Sequence, residues 1–429
     1  MSKTSTFKEV TKNLELIEQI NALYDLSFSS VDEIIKYAHE HMPNAHIETT
    51  DDLRAFIKFQ TEYKKIHTIE ELLDLYFSEH PNYKKLHHVD LSELDLRGYE
   101  SMFVGQLNEY TSTKEAVEKH IILSWTDDVI WPAPDKLPKG FNPQKILEKA
   151  KHPNEMDTVH NMGAMGKNIG IAIIDQRLYA GHPEYADRIK LNETVGGLWK
   201  QNGIDYHPSL VCGCAVGKTT GTAPEADLYF FAADIHEKTE TGKIELSRKY
   251  PIIALKHILE LNKTLPENKK IRFISCSWGS TTDLHEQECR KLFDECEQNG
   301  IMILGGAYKH NNFGSCNKSY PIRTTKIGIP TDGKTTPFWH GGYYYTRQGG
   351  SSSTFPYVAG VFACACQDNQ IFFTRPNWQN ELAQILQDTA IESKNGGKMI
   401  NPTGIRERVT QIAREMEMNL IKQKSLENE

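Results

Sequence analysis

A short apolar run, residues 169–174, constrains the fold more than any other stretch of this chain. It reads Ile-Gly-Ile-Ala-Ile-Ile, and its β-branched residues are typical of a strand buried in a parallel sheet. Asp175 follows at once, and catalytic groups collect at the carboxyl ends of parallel strands. An aspartate in this place more often caps a turn, so Asp175 alone does not define a site.

A histidine opens a second informative segment, residues 207–217. Small and apolar residues follow His207 at helical spacing, which predicts a helix. A glycine-bounded turn, residues 221–226, then leads into a predicted strand over residues 228–233. By itself, a histidine at the start of such a helix is usually structural.

A run of serines opens the third segment, residues 350–360, which reads Gly-Ser-Ser-Ser-Thr-Phe-Pro-Tyr-Val-Ala-Gly. The small apolar residues that continue to Ala365 predict a buried helix. A serine in its first turn would lie in the positive field of the helix N-terminus, which suits a nucleophile whose attack creates an oxyanion. Serine runs are also common as turns and helix caps.

Together the three segments resemble the Asp, His and Ser motifs of the subtilisin-like serine proteases, in that family's chain order. The resemblance covers roughly residues 155–415 and includes the 221–229 run, which is similar to the segment after the family's catalytic helix. It implies an α/β fold with a mainly parallel sheet flanked by helices. It also implies that Asp175, His207 and Ser352 form a catalytic triad.

The identity of the nucleophile depends on register within the serine run. Gly350 lies two residues before Ser352 and Pro356 lies four residues after it, as in the family pattern. Ser351 and Ser353 do not fit that spacing. The usual His-Gly-Thr-His sequence is altered here, because Pro, Ser and Leu follow His207.

The oxyanion donor is where the sequence departs furthest from the family. Residues 300–307 resemble the strand before the oxyanion asparagine, but the usual Gly-Asn is absent from its ungapped position. A short insertion brings Asn311 or Asn312 into place, and we prefer Asn311. In the family such a side-chain amide stabilises the oxyanion together with the backbone N–H of the nucleophile.

The same resemblance implies a set of substrate-binding residues. Residues 274–279, which end in Ser277, Trp278 and Gly279, resemble the strand that pairs with substrate. By the same resemblance Gly279, Gly305 and Gly306 line the specificity pocket, and Trp278 flanks it. Small residues there leave room for a large apolar side chain.

No cofactor is implied by the resemblance. No Cys-x-x-Cys pair or suitably spaced histidine pair indicates a metal site.

Composition excludes some classes of partner and predicts the compartment. The net charge of −8 over 429 residues gives no reason to expect nucleic-acid binding. No apolar run reaches the roughly 18 residues of a membrane span, and the first residues lack the apolar core of a secretory signal. We therefore expect a cytoplasmic protein without membrane contact, whose eight cysteines act mainly as small apolar fillers.

The N-terminal part is a different kind of sequence, rich in Leu, Glu, Lys and Ile and poor in glycine. Residues 1–130 predict a mostly helical domain, with helices expected over residues 10–26 and after Ser30 and Thr68. The proline-rich start of residues 131–154 predicts a linker, residues 155–420 the peptidase domain, and residues 421–429 a charged tail. The first domain is an inhibitory, partner-recognising or structural part.

The sequence thus predicts an intracellular subtilisin-like serine endopeptidase that acts on protein or peptide substrates and meets a regulatory partner through its N-terminal domain. The alternative is a catalytically silent relative that binds partners. The altered flanking residues favour that alternative, while the intact triad speaks against it. A nucleotide-binding protein is disfavoured because no glycine-rich loop follows a strand and precedes a helix.

Overall fold

The structure is a computed structural model that divides into two units, Met1–Lys145 and Ile146–Glu429. It describes residues 16–21, 27–41, 50, 53, 87–90, 92, 121–137, 141–198, 205–278, 283–305, 308–310, 312–316, 326–346, 350–393 and 397–427.

In the first unit, residues 16–21 are helical and are followed by helix α1 (Val31–His41). The predicted cap of α1 is confirmed. The Glu33 amide donates to Ser30 Oγ at 3.2 Å, and the Glu33 carboxylate accepts from the Ser29 amide at 2.8 Å. The helical residues 16–21 and α1 share a small core of buried apolar side chains: Leu16, Ile20, Ile34, Ala38 and Leu53. The helix expected after Thr68 lies outside the described residues.

The first unit also contains a parallel strand pair that the sequence did not predict, β1 (His87–Asp90) and β2 (Ile121–Thr126). Within the predicted linker, Trp131 packs edge to face on Trp125 of β2 and on Phe141, with ring centroids 5.8 and 5.6 Å apart. Helix α2 (Pro143–Lys151) follows. The limits of the predicted domains remain a prediction.

The second unit alternates strands and helices, as the sequence predicts. Its helices and strands are, in chain order, α3 (Asp157–Asn161), β3 (Gly170–Asp175), β4 (Ile189–Gly196), α4 (Tyr206–Val216), β5 (Asp227–Ala233), β6 (His236–Lys238), β7 (Ile244–Leu246), α5 (Lys249–Thr264), β8 (Ile271–Cys276), α6 (Glu286–Gln298), β9 (Met302–Gly305), β10 (Phe313–Cys316), β11 (Ile327–Pro330), β12 (Lys334–Pro337), β13 (Tyr343–Thr346), α7 (Thr354–Cys366), α8 (Trp378–Asp388), β14 (Ile391–Glu392), β15 (Lys398–Met399) and α9 (Pro402–Glu427).

The central sheet has the strand order β4-β5-β3-β8-β9, and every neighbouring pair is parallel. All six residues of β3 are buried, since this strand lies in the middle of the sheet. The prediction of a mainly parallel sheet flanked by helices is confirmed. Asp175 and the carboxyl ends of the neighbouring strands share one edge of the sheet.

Alternate residues of the strands supply two separate cores. Ile171 and Ile173 of β3 belong to the core that includes helices α4, α7 and α9. Ala172 and Ile174 belong to the core on the opposite face, beneath α5 and α6. The two-residue period of a strand sends successive side chains to opposite faces, so both faces of β3 must be apolar.

Helix α7 is the most deeply buried helix among the described residues, because all thirteen of its residues are buried. It packs against both α4 and α9. At Gly360 the approach to the loop after α4 is so close that a Cβ atom would overlap the Thr222 hydroxyl. Glycine is therefore required here for packing, and the contact fixes the two helices relative to each other.

The predicted ends of the last helices need correction. Helix α8 was expected to reach Ile391, but it ends at Asp388 and Ile391 begins β14. Helix α9 was expected to end at Leu420, but it continues to Glu427 because no glycine or proline interrupts these residues. Most of the predicted tail is thus helical. Within the described part of the chain, no helix is both long and apolar enough to cross a membrane.

Candidate active site

Asp175 and His207 form a hydrogen-bonded pair at the carboxyl edge of the central sheet. Asp175 is the last residue of β3 and its side chain is 6 % exposed, while His207 is the second residue of α4. The His207 Nδ1 atom lies 2.9 and 3.1 Å from the two carboxylate oxygens of Asp175. This contact fixes the orientation of the imidazole ring and leaves Nε2 for other partners.

The start of α4 is held in place by two further contacts. Asp205 is the N-cap, and its side chain accepts a hydrogen bond from the His207 amide at 2.9 Å. Two residues beyond His207, Ser209 Oγ accepts from the hydroxyl of the fully buried Tyr185 at 2.9 Å. The helix end that carries His207 is therefore held by one contact before the histidine, at Asp205, and by one after it, at Ser209.

The pKa of His207 is raised above its ordinary value by these neighbours. Burial of the ring acts in the opposite direction, because it disfavours the charged imidazolium. The hydrogen bond to Asp175 and the negative charges of Asp175 and Asp205 outweigh burial. The pair consequently makes His207 a stronger base than an isolated histidine.

Ser352 lies in a short 3-10 turn, Ser351–Ser353, directly before α7. The three serines have different surroundings. Ser351 is exposed, Ser352 is half-buried, and Ser353 is buried. The turn packs against α4, the helix that carries His207. Between described residues, no hydrogen bond involves Ser352 Oγ, while the Ser352 carbonyl accepts from Ser277 Oγ at 2.9 Å.

Among the described residues, no side chain caps the N-terminal end of the turn or of α7, while the Ser353 and Thr354 amides donate to the Gly350 and Ser351 carbonyls. Backbone N–H groups at a helix start carry partial positive charge and point outward. The backbone around Ser352 is therefore suited to bind a negatively charged oxygen.

A cavity of about 260 Å³ adjoins the Asp175–His207 pair and includes the predicted substrate-binding residues Ser277 and Trp278 in its wall. The Trp278 ring lies over the guanidinium of Arg248, 5.1 Å from the ring centroid. Arg248 is buried and pairs with Asp283 and Glu286. The buried ion pairs thus fix the side chain that borders the cavity.

The other predicted site residues are only partly within the described chain. Gly305 ends β9 opposite Cys276 of β8, whereas Gly279, Gly306 and Asn311 lie outside the described residues. Asn312 is described and half-buried, and its carbonyl accepts from the Ile327 amide at 2.9 Å.

The three residues before Asn311 are anchored to helix α6. Tyr308 donates to Asp294 at 2.7 Å, and His310 Nε2 lies 2.9 Å from a Glu297 carboxylate oxygen. His310 is buried. These contacts hold the predicted insertion on the side that precedes Asn311.

Two acidic residues near the site were missed by the sequence analysis. Asp205 had a recognisable signal, since it stands directly before the predicted helix as an N-cap residue would. Glu184 had none. It is buried, and its carboxylate accepts from the Thr219 amide at 2.6 Å and from the Tyr343 hydroxyl at 2.8 Å.

The eight cysteines are free thiols, as the sequence predicts, and most are buried. Burial raises the pKa of Cys214 to about 11, although the hydrogen bond with Ser353 acts in the opposite direction. A thiol with so high a pKa is a poor nucleophile at neutral pH. Among the described residues, no group of three or more His, Cys, Asp or Glu side chains is placed to hold a metal ion.

Several solved structures are similar to this chain. The chain is similar to the prenylagaramide maturation protease PagA, with 15 % identity, a TM-score of 0.45, and coverage of 59 % of this chain and 98 % of that one. A cold-adapted subtilisin-like serine proteinase is 15 % identical, with a TM-score of 0.39 and coverage of 55 % of this chain and 89 % of that one. The PatG macrocyclase in complex with peptide is 14 % identical, with a TM-score of 0.43 and coverage of 60 % of this chain and 96 % of that one.

No protein-family model and no curated protein matches the sequence. The solved structures similar to this chain include subtilisin-like proteases, and their likeness concerns the fold. The activity proposed below therefore rests on the side chains of this chain.

Proposed function

We propose that this protein is a serine endopeptidase in which Asp175, His207 and Ser352 act as the catalytic triad. The observation that carries the proposal is the Asp175–His207 pair, with Nδ1 at 2.9 and 3.1 Å from the two carboxylate oxygens. Ser352 supports it, because it lies in the turn that packs on the same helix.

The reaction proceeds in two halves. His207 Nε2 takes the proton of the Ser352 hydroxyl while Oγ attacks the peptide carbonyl carbon. Asp175 holds Nδ1–H and stabilises the imidazolium that forms. When the C–N bond breaks, His207 returns the proton to the leaving amine and an acyl-enzyme remains. Water then gives a proton to His207 while its oxygen attacks the ester carbonyl carbon. The bond from that carbon to Ser352 Oγ breaks, His207 returns the proton to Oγ, and the acid leaves.

The tetrahedral oxygen needs hydrogen-bond donors that are already in place. The uncapped backbone around Ser352 supplies one, and the side-chain amide of Asn311 is our proposed second donor. Asn312 is the alternative if the insertion places the chain one residue further on.

The substrate lies along the carboxyl ends of β8 and β9 in this proposal. Ser277, Trp278 and Gly279 follow β8 and contact the acyl half of a protein or peptide substrate. Gly305 and Gly306 line the pocket for the side chain before the scissile bond. The cavity beside His207 supports this arrangement, because Ser277 and Trp278 form part of its wall.

Residues 1–130 are proposed to regulate the enzyme or recruit its substrates in the cytoplasm, with no part in the chemical step. A shortened chain that begins at Gly140 tests this. If the domain inhibits, the shortened chain gains activity on a small peptide substrate. If the domain recruits, that activity stays and the natural target is lost. Failure of the shortened chain to fold would contradict both versions.

The proposed activity is tested by covalent labelling with a fluorophosphonate and by peptide hydrolysis. The native protein and the Ser351→Ala and Ser353→Ala variants should be labelled, because their triad is intact. Ser352→Ala should lose labelling and hydrolysis while keeping its thermal unfolding temperature. Labelling that persists in Ser352→Ala would show that another residue is the nucleophile. A native protein without labelling or hydrolysis would favour the silent, partner-binding alternative.

A further inference from the structure

Three aromatic rings, the first of them next to His207, lie side by side. Tyr206 lies directly before the histidine, and its ring centroid is 6.2 Å from that of Phe338, with 32° between the planes. Phe338 in turn stacks on Tyr344, at 5.6 Å and 23°. Tyr206 exposes 49 % of its surface. We refer to Tyr206, Phe338 and Tyr344 as the aromatic platform.

The platform is built on a hairpin that is fixed to the catalytic helix. Strands β12 and β13 pair antiparallel, and β12 packs against α4. At that contact Gly213 is so close to the Pro337 ring that a Cβ atom would overlap it. At the turn of the hairpin, the Phe338 amide donates to the Gly342 carbonyl at 2.8 Å.

Two buried side chains hold the second strand of the hairpin. The Tyr343 hydroxyl donates to the Glu184 carboxylate at 2.8 Å, and His182 Nε2 lies 2.8 Å from the Gly342 carbonyl oxygen. Both His182 and Glu184 are buried. The rings of the platform are therefore held relative to His207 before any ligand arrives, which lowers the entropic cost of binding to them.

The position of the platform indicates which half of a substrate it meets. The rings of Tyr206 and His207 are 6.3 Å apart and nearly perpendicular. In the proposed reaction His207 passes its proton to the leaving amine, so the leaving half of the peptide passes beside the imidazole. Tyr206 lines the same cavity as Ser277 and Trp278, which are assigned to the acyl half, whereas Phe338 and Tyr344 are not part of that lining. The platform therefore extends from Tyr206 beyond that cavity.

We propose that the aromatic platform is a subsite for the leaving half of the substrate and that it selects an aromatic or large apolar side chain. The inference rests on the proposed endopeptidase function and adds the chemical class recognised at this place. Aromatic faces attract other rings in stacked or edge-to-face geometry. Tyr206 offers such a face, since half of its surface is open to solvent.

Partitioning of the acyl-enzyme measures this subsite separately from the first chemical step. An ester substrate acylates Ser352, and phenylalanine amide or glycine amide then competes with water for the same intermediate. The ratio of aminolysis to hydrolysis reports only how well each amine binds on the leaving side. For the native full-length protein, we expect phenylalanine amide to exceed glycine amide about fivefold to tenfold.

Two variants test which rings are responsible, and a third serves as the matched control. Tyr206→Ser removes an exposed ring, and Phe338→Leu keeps apolar bulk without the aromatic face. Both should reduce the preference to about twofold or less. Tyr345→Leu should keep it, because Tyr345 lies on the opposite side of β13 from Tyr344.

The outcomes separate this inference from the function on which it rests. An enzyme that is labelled at Ser352 but shows no preference for phenylalanine amide overturns the subsite and leaves the endopeptidase proposal standing. A preference that survives in both Tyr206→Ser and Phe338→Leu places recognition elsewhere and also overturns it. A protein that cannot be acylated refutes the proposed function, and the subsite with it.

Discussion

The helix starts next to His207 and Ser352 differ in the groups that bind their backbone amides. Helix α4 begins with an acidic N-cap, and the Asp205 side chain accepts from the His207 amide. Helix α7 follows a 3-10 turn, and no described side chain caps the start of the turn or of the helix. The start of α4 thus has a carboxylate bound to one of its amides, whereas at the start of α7 the Ser353 and Thr354 amides donate to the Gly350 and Ser351 carbonyls.

This difference matches the charge that each residue would meet during the reaction. His207 becomes positively charged when it accepts a proton, and nearby carboxylates stabilise that form. In the proposed reaction an oxyanion develops beside Ser352, and a carboxylate cap there would repel it. The proposed mechanism is therefore helped by a carboxylate at the start of α4 and would be hindered by one at the start of α7.

The largest expected effect concerns His207 and Ser352, which act in the same proton transfer in the proposed reaction. His207→Ala and Ser352→Ala should each reduce kcat by on the order of 10⁶, as the corresponding single losses do in subtilisin. The double variant should be about as slow as either single one, because each change disables the same proton transfer. Steady-state hydrolysis of a chromogenic peptide measures all three. Penalties that multiply would mean that the two residues work independently.

The next effect tests whether the oxyanion needs a side-chain donor in addition to the backbone N–H of Ser352. Asn311→Ala should lower kcat by about 10²–10³ with little change in KM, because the contact forms only in the transition state. Asn312→Ala is the matched control and should retain most of the activity. The reverse result would move the oxyanion donor by one residue. If neither change lowers kcat, the backbone at Ser352 acts alone.

A third test concerns the packing that keeps the two helix starts in fixed relation. Gly360→Ala places a methyl group against the Thr222 hydroxyl and should lower the free energy of unfolding by about 1–3 kcal/mol. Gly314→Ala is the control, since its nearest contact, the Lys326 side chain at 3.7 Å, is an ordinary one. Chemical denaturation measures both. Equal stability of the two variants would show that the contact tolerates a side chain.

The smallest effect separates the two roles of Asp205. Asp205→Asn keeps a good N-cap but removes a charge that raises the pKa of His207. That pKa should fall, so more His207 is neutral at acidic pH and the acidic limb of the kcat/KM profile should move to lower pH. Asp205→Ala should move the limb likewise and also cost about 1 kcal/mol of stability. A limb that does not move in Asp205→Asn would exclude the electrostatic role.

Sequence patterns predicted the parts of the site that depend on local order. The β-branched run before Asp175 forms β3, and the small apolar residues after His207 and Ser352 form buried helices. Spacing from Gly350 and Pro356 selected the middle serine of the run. The catalytic roles of these residues stay a prediction.

Contacts between distant segments could not be predicted in this way. Glu184 accepts from Thr219 and Tyr343, which lie 35 and 159 positions further along the chain. The periodicity of the sequence cannot predict such a partner, because the contact forms only when the tertiary structure brings distant segments together. The insertion before Asn311 is similar: its anchors, Asp294 and Glu297, lie on another helix.

The bond between Glu184 and Tyr343 has a consequence for the order in which a newly made chain acquires its parts. Ribosomes add about 5–20 residues per second, so Tyr343 is made about 8–32 s after Glu184. During that interval the hairpin beside His207 does not exist, and neither does Ser352. The proposed triad is therefore complete only after Ser352 has been added to the growing chain.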